Sequence, residues 1–310
     1  MRYDDFRRSD DIEDRRGDDS SGMGGGGGGF SLPMGGGGLG IGTIIVLGLI
    51  SYALGIDPRV LIGGAEIATG GRQAPTYQSD RSSGRTGAPT DEMGSMISGI
   101  LGEIDDRWTE MFQARGQTYT GPKIVLFRNA TNGGRCGMAQ AAMGPFYCPP
   151  ERKIFLDTGF FREVETRFHG CSGSACKFTA AYIIAHEAGH HVQNLLGILP
   201  RVTQLQQQAG SKADANALQV KIELQADCLS GVWVNREEKK RPGFLEPGDI
   251  NAALTTAAAI GDDTLQRETT GRVVPDSFTH GTSAQRERWF MNGYQKGTVE
   301  ACNTFGAGSL

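Results

Sequence analysis

The run AYIIAHEAGHHVQNLLG, residues 181–197, carries three histidines and a glutamate among apolar neighbours. Titratable side chains are costly in such a run unless something binds them. His186, Glu187 and His190 form the pattern H-E-x-x-H. On a helix, positions i and i+4 project from one face, so both imidazoles can reach one tetrahedral ion at about 2.0–2.1 Å. Glu187 is displaced around the helix and can address a water bound to that ion. Tyr182, Ile183 and Ile184 give the apolar lead-in, and Gly197 with Pro200 gives a helix stop. By itself the pattern can also arise by chance in a helix rich in His and Glu.

A catalytic zinc takes a third protein ligand and keeps its fourth position for water. In the metzincin pattern a glycine stands three residues after the second histidine and another histidine six after it. Here those positions are Gln193 and Leu196, so that arrangement is excluded. Downstream, KIELQADCLSGVWV places Glu223 and Asp227 again at i and i+4. Glu223 can ligate zinc, and Asp227 can accept the remaining ring N–H of His186, fixing its tautomer. A solvated acidic helix face is the plainer reading, but Ile222, Leu224, Leu229, Val232 and Trp233 leave little polar face there. His191 must point away from its neighbour His190, and His169 stands beside Cys171 in a loop; both read as structural.

The elements that must position these groups follow from periodicity. MISGILGEIDDRWTEMFQARG has apolar residues at helical spacing, and PKIVLFRN (122–129) is strand-like. Residues 138–157 read as two strands joined at Pro149-Pro150, with helices following near 178–196, 213–239, 247–268 and 282–296. Strands first and helices later predict an α+β domain. An edge of that sheet could pair with an extended peptide. Net charge is −4, with no clustered basic excess to suggest nucleic-acid binding. No G-x-x-x-x-G-K-[ST] loop occurs, which sets aside nucleotide binding and an ATP-dependent protease.

The six cysteines lie in the C-terminal two thirds without a CxxC pair, against a zinc ribbon and for disulfides in an oxidising compartment. The expected pairs are Cys136–Cys148 and Cys171–Cys176, which close short loops, and Cys228–Cys302; free buried thiols are the alternative. Residues 1–38, charged and then glycine-rich, are expected to be disordered. LGIGTIIVLGLISYALGI (39–56) holds eighteen residues without a charge, about 27 Å of helix, and is expected to be a transmembrane signal anchor. A cleaved signal peptide lacks its basic leader, and a core helix lacks its polar face. A Gly/Ser/Pro-rich linker (57–90) and a folded domain (91–310) follow. With the cysteines outside, the N-terminus would be cytoplasmic and the domain extracytoplasmic.

Together, His186-Glu187-x-x-His190 and Glu223-x-x-x-Asp227 resemble the zincin metallopeptidases of glutamate-ligand type. More closely, GPFYCP, IFLDTGFF, AHEAGHHVQ, ELQADCLSGVW and THGTSAQRERWFMNGYQKG are similar to the bacterial family of predicted neutral zinc metallopeptidases, over residues 91–305. The resemblance implies a zincin-like domain with a small N-terminal sheet, an H-E-x-x-H helix and a helical C-terminal part, preceded by one membrane helix. It implies Zn²⁺ held by His186, His190 and Glu223, Glu187 as general base, and a peptide or protein substrate. Related zincins place a His or Tyr downstream to stabilise an oxyanion; His280 is the candidate, or it caps the following helix, and Tyr294 is a poorer one. A membrane-tethered zinc-containing binding module, or a pseudo-protease without turnover, is the alternative function.

Overall fold

The computed structural model describes residues 1–18, 84–166, 171, 175–306 and 310. A mixed five-stranded sheet is built from β1 (Ile12–Asp14), β2 (Arg85–Thr86), β3 (Lys123–Phe127), β6 (Phe146–Cys148) and β7 (Lys153–Asp157), in the order β2-β1-β3-β7-β6. β1, β3 and β7 run parallel, while β2 and β6 are antiparallel to their neighbours. A small hairpin pairs β4 (Ala130–Asn132) with β5 (Met138–Gln140). In β3 and β7 nearly every residue is buried, as expected of strands covered on both faces. Ile124, Leu126, Ile154 and Leu156 face the helical core, whereas Val125, Phe127 and Phe155 pack with Ala139 and Cys148 on the other side.

The first helix, α1 (Glu92–Gln113), starts where Asp91 accepts the Gly94 N–H as N-cap. After β7 come α2 (Phe160–Thr166), α3 (Ala175–Leu195), α4 (Ile198–Gln207), α5 (Lys212–Lys240), α6 (Asp249–Ala259), α7 (Asp262–Thr270) and α8 (Ser283–Lys296). The expected stop at Gly197 holds, with Gly197 at φ 74°, but a new helix starts at once, its Pro200 in the first turn where no N–H is required. The pattern at 247–268 is two helices, parted at Ile260-Gly261. All three expected disulfides form, with sulfurs 1.96, 2.12 and 2.02 Å apart for Cys136–Cys148, Cys171–Cys176 and Cys228–Cys302.

Two expectations are corrected. Residues 1–18 are not disordered: β1 lies inside the sheet, and Met1, Phe6 and Ile12 are buried. Their charges, which argue for disorder on average, find partners far along the chain. Arg7 pairs with Asp106, and Glu13 with Lys153, while Ser9 and Ser98 exchange hydrogen bonds. The second correction concerns the membrane. No helix among the described residues is long and apolar enough to cross one. The segment 39–56 lies outside the described residues, as do 19–38, 57–83 and His169. A single crossing between residues 18 and 84 would also put β1 across a bilayer from β2 and β3, to which it is hydrogen-bonded. The preceding transmembrane helix, the single-pass anchor, the cytoplasmic N-terminus and the extracytoplasmic domain are therefore withdrawn.

Candidate metal centre

The site forms where α3 crosses α5. Gly189, inside the H-E-x-x-H run, permits the approach: a Cβ there would lie 3.1 Å from the Ala226 carbonyl oxygen. With the backbones this close, the histidine face of α3 meets Glu223 and Asp227 of α5. One donor atom each from His186, His190 and Glu223 lies within 4.8 Å of the others. His186 Nε2 is 3.2 Å and His190 Nε2 3.5 Å from the same oxygen, Glu223 Oε2.

Each donor is aimed by a second group. Asp227 Oδ1 accepts the His186 Nδ1–H at 2.9 Å, as the sequence spacing predicts. His190 Nδ1 meets Gln193 Oε1 at 2.8 Å. Gln193 Nε2 donates to the Ile222 carbonyl (2.8 Å) and to Gln225 Oε1 (3.0 Å), so its oxygen must be the acceptor and His190 the donor. Gln219 Nε2 binds Glu223 Oε1 at 2.8 Å, which directs Oε2 to the common point. Both imidazoles thus hold their protons on Nδ1 and turn Nε2 inward.

Asp227 is fully buried and gripped from three sides. Arg286 donates from Nε to Oδ2 and from Nη2 to Oδ1, each at 2.9 Å, and the Tyr182 hydroxyl donates at 2.7 Å. Arg286 arrives because α8 lies close against α5. A Cβ on Gly293 would sit 1.9 Å from the Cys228 carbonyl oxygen, so only glycine fits this crossing. Burial alone would raise the Asp227 carboxyl; the Arg286 and His186 charges instead hold it near a pKa of about 2. Burial likewise works against the charged form of His186, yet Asp227 and Glu223 push its pKa up to about 10. Glu223, despite its burial, is held well below the carboxylate range by His190 and His186. These opposed pressures show a pocket that strongly favours positive charge. Two imidazole nitrogens and one carboxylate oxygen, oriented by their neighbours, fit a zinc ion.

Glu187 is buried beside this cluster. Burial raises its carboxyl, while His190, His186 and the backbone N–H of Tyr147 on the edge strand β6 oppose the rise. His280 stands apart from the ligand cluster but its charge is felt at Glu223. Its ring Nδ1 lies 3.2 Å from Asp262 Oδ1, and Asp262 Oδ2 accepts the backbone N–H groups of Thr279, His280 and Gly281 at 2.6, 2.6 and 3.0 Å. It does not cap α8: Thr282 does, in a reciprocal capping box with Gln285. Tyr294 packs against the core. His191 points away from the metal cluster, as expected, to Tyr147 and Thr120. Burial pushes its pKa down to about 4.

Tyr182, Gln193, Gln219, Asp262 and Arg286 are groups to which the sequence reading gives no role at the centre. Tyr182 and Gln219 precede His186 and Glu223 by four residues, so helical spacing carried a signal for both. Arg286 and Asp262 come from separate elements, and nothing local announces them.

An α+β fold thus brings the H-E-x-x-H histidines of one helix and a glutamate of a second into a cluster able to hold a metal ion. The chain belongs to the family described as "Putative neutral zinc metallopeptidase", which it matches over residues 1–305. It is 44% identical over 307 residues to an uncharacterized protein, YpfJ, of Escherichia coli (strain K12), covering 99% of each chain. It is 40% identical over 266 residues to an uncharacterized protein, Rv2575, of Mycobacterium tuberculosis (strain ATCC 25618 / H37Rv), covering 83% of this chain and 85% of the relative. No solved structure matches the chain.

Proposed function

We propose that this protein hydrolyses peptide bonds at a zinc centre held by His186, His190 and Glu223, with Glu187 as general base. The observation that carries this reading is the position of Glu187. It is buried on the helix that carries His186 and His190, directly after His186, where the charges of both histidines and of Glu223 act on its carboxyl. A purely structural metal site would have no use for a carboxylate there. Zinc in this position supplies Lewis acidity for a carbonyl oxygen and brings the pKa of a bound water to about 7.

The chain's own groups do the rest. Glu187 takes one proton from the attacking water as its oxygen bonds to the scissile carbon, and passes that proton to the leaving amine as the C–N bond breaks. A carboxylate with its pKa raised by burial suits both halves of that transfer. The outer side of β6, the terminal strand of the sheet, offers backbone groups to an extended peptide. His280, steadied by Asp262, donates to the oxygen on which negative charge develops. Asp227 keeps His186 in the tautomer that presents Nε2.

The test is Glu187→Gln. The variant retains zinc, measured by metal content after dialysis, and loses hydrolysis of a peptide library. Undiminished cleavage would remove Glu187 from its role. Zinc bound by the unaltered protein without turnover of any peptide would favour the binding module.

A further inference from the structure

One buried histidine is left over by this mechanism. His191 is 0% exposed, although it directly follows a zinc-site residue, and both ring nitrogens are engaged. Nε2 lies 2.7 Å from the Thr120 carbonyl oxygen, which can only accept, so Nε2 carries the proton. In the neutral ring Nδ1 must then accept, and the Tyr147 hydroxyl, 2.9 Å away, must donate to it. The Tyr147 oxygen in turn accepts from Asn194 Nδ2 at 2.9 Å, and the same amide reaches the Pro149 carbonyl at 3.3 Å. Every proton in this chain has one allowed place.

What the chain grips is the edge strand. Tyr147 is the middle residue of β6, opposite Ile154 of β7. Its side chain is clamped beneath α3, and its ring meets the His191 ring edge-on at 5.4 Å. The backbone N–H of Tyr147 is one of the groups that hold the Glu187 carboxyl down against its burial. Among the described residues β6 is the last strand of the sheet and pairs with β7 on one side, which leaves its outer side for an added strand. Glu187, His191 and Asn194 all belong to α3. The helix that carries Glu187 therefore also holds, four and seven residues on, the middle of the edge strand.

We propose that His191, through Tyr147, is a positioning residue that sets the height and register of β6 against Glu187, and thereby the register in which an extended peptide lies across the site. This rests on the peptidase reading above. Because an edge strand has a partner on one side only, its free edge is restrained chiefly by what its side chains touch. A shift of about one residue would present the opposite set of backbone groups to the substrate.

The experiment uses the full chain with zinc, in the Glu187→Gln background so that peptides bind without being cut. The probes are an eight-residue peptide and a blocked dipeptide amide, titrated by calorimetry. Tyr147→Phe keeps the ring and removes only the hydroxyl; His191→Gln is the second variant, in case one of them fails to fold. The expected result is a roughly tenfold weaker Kd for the long peptide, with the dipeptide amide changed less than twofold and zinc content unaltered. The same variants with Glu187 restored should cut a long peptide at shifted bonds, seen by mass spectrometry. Equal weakening of both probes, or no weakening of either, overturns the proposal, because a general loss of fold does not discriminate by length. If the parent binds neither probe, the peptidase reading fails instead.

Discussion

Replacing Arg286 by methionine removes the charge that faces Asp227 while keeping most of the apolar stem. Both partners are buried, Arg286 2% and Asp227 0% exposed, and the guanidinium makes two 2.9 Å contacts to the carboxylate and one of 3.2 Å to the Tyr182 hydroxyl. Removing one member of a buried pair leaves an uncompensated charge, at about 3–5 kcal/mol. In a domain of this size each kcal/mol moves Tm by about 2–4 °C, so calorimetry should record a fall of roughly 6–20 °C. Asp227 would then bind His186 with less certain orientation, and zinc affinity measured against a competing chelator should fall about 10–100-fold. The double variant Arg286→Met/Asp227→Asn discriminates the cause. If the cost is the orphaned charge, the double variant is more stable than Arg286→Met alone. A single-variant loss below about 1 kcal/mol, or a double variant worse than the sum of its parts, would refute the reasoning.

Glu187→Gln should retain zinc, read by metal content, and lose peptide hydrolysis; undiminished cleavage would contradict it. Glu237 is buried near Glu103, and burial followed by that like charge raises its pKa to about 7. The folded state therefore holds this proton while an unfolded chain releases it near 4.5, so its contribution to stability falls as pH rises from about 4.5 to 7 and is level above. Glu237→Gln forfeits the ion pairs to Arg241 and Arg107 but should flatten the fall of stability across that window in urea melts; a difference from the unaltered protein that does not change with pH would contradict it. Deleting residues 1–18 strips β1 from the sheet interior and Met1, Phe6 and Ile12 from the core, each side chain worth about 1.5–3 kcal/mol, so the remaining chain should unfold at least 10 °C lower; an unchanged Tm would place this segment outside the fold. Cys228→Ser/Cys302→Ser opens a closure spanning 74 residues, worth about 4 kcal/mol. It also loosens the Cys302 carbonyl that anchors Gln225, then Gln193, then His190, so zinc should leave faster to a chelator; equal release rates would break that chain.

Much of the centre was legible because it obeys helical spacing. His186 with His190, and Glu223 with Asp227, are i and i+4 pairs, and a helix puts such pairs on one face whatever surrounds it. The α+β order, the two short-loop disulfides and the type of metal site follow from local pattern and residue chemistry, whereas Cys228–Cys302, 74 residues apart, was only the pair left over. Residues 1–18 failed the compositional reading because net polarity says nothing about where charges find partners. Glu13 pairs with Lys153 and Arg7 with Asp106, separations no window spans. The same blindness made the apolar run at 39–56 decide a topology that β1, hydrogen-bonded to β2 and β3, does not allow.

The amino-acid sequence by itself determined which atoms could bind a cation and which carboxylate could move a proton. Tertiary structure alone decided how firmly they are held. Gly189 lets α3 meet α5, Gly293 brings Arg286 onto Asp227, Asp262 pins the loop of His280, and His191 fastens the edge strand. Ligand identity is local chemistry repeated every turn of a helix. The orientation of each ligand depends on close crossings between elements distant in sequence, and those exist only once the backbones have packed.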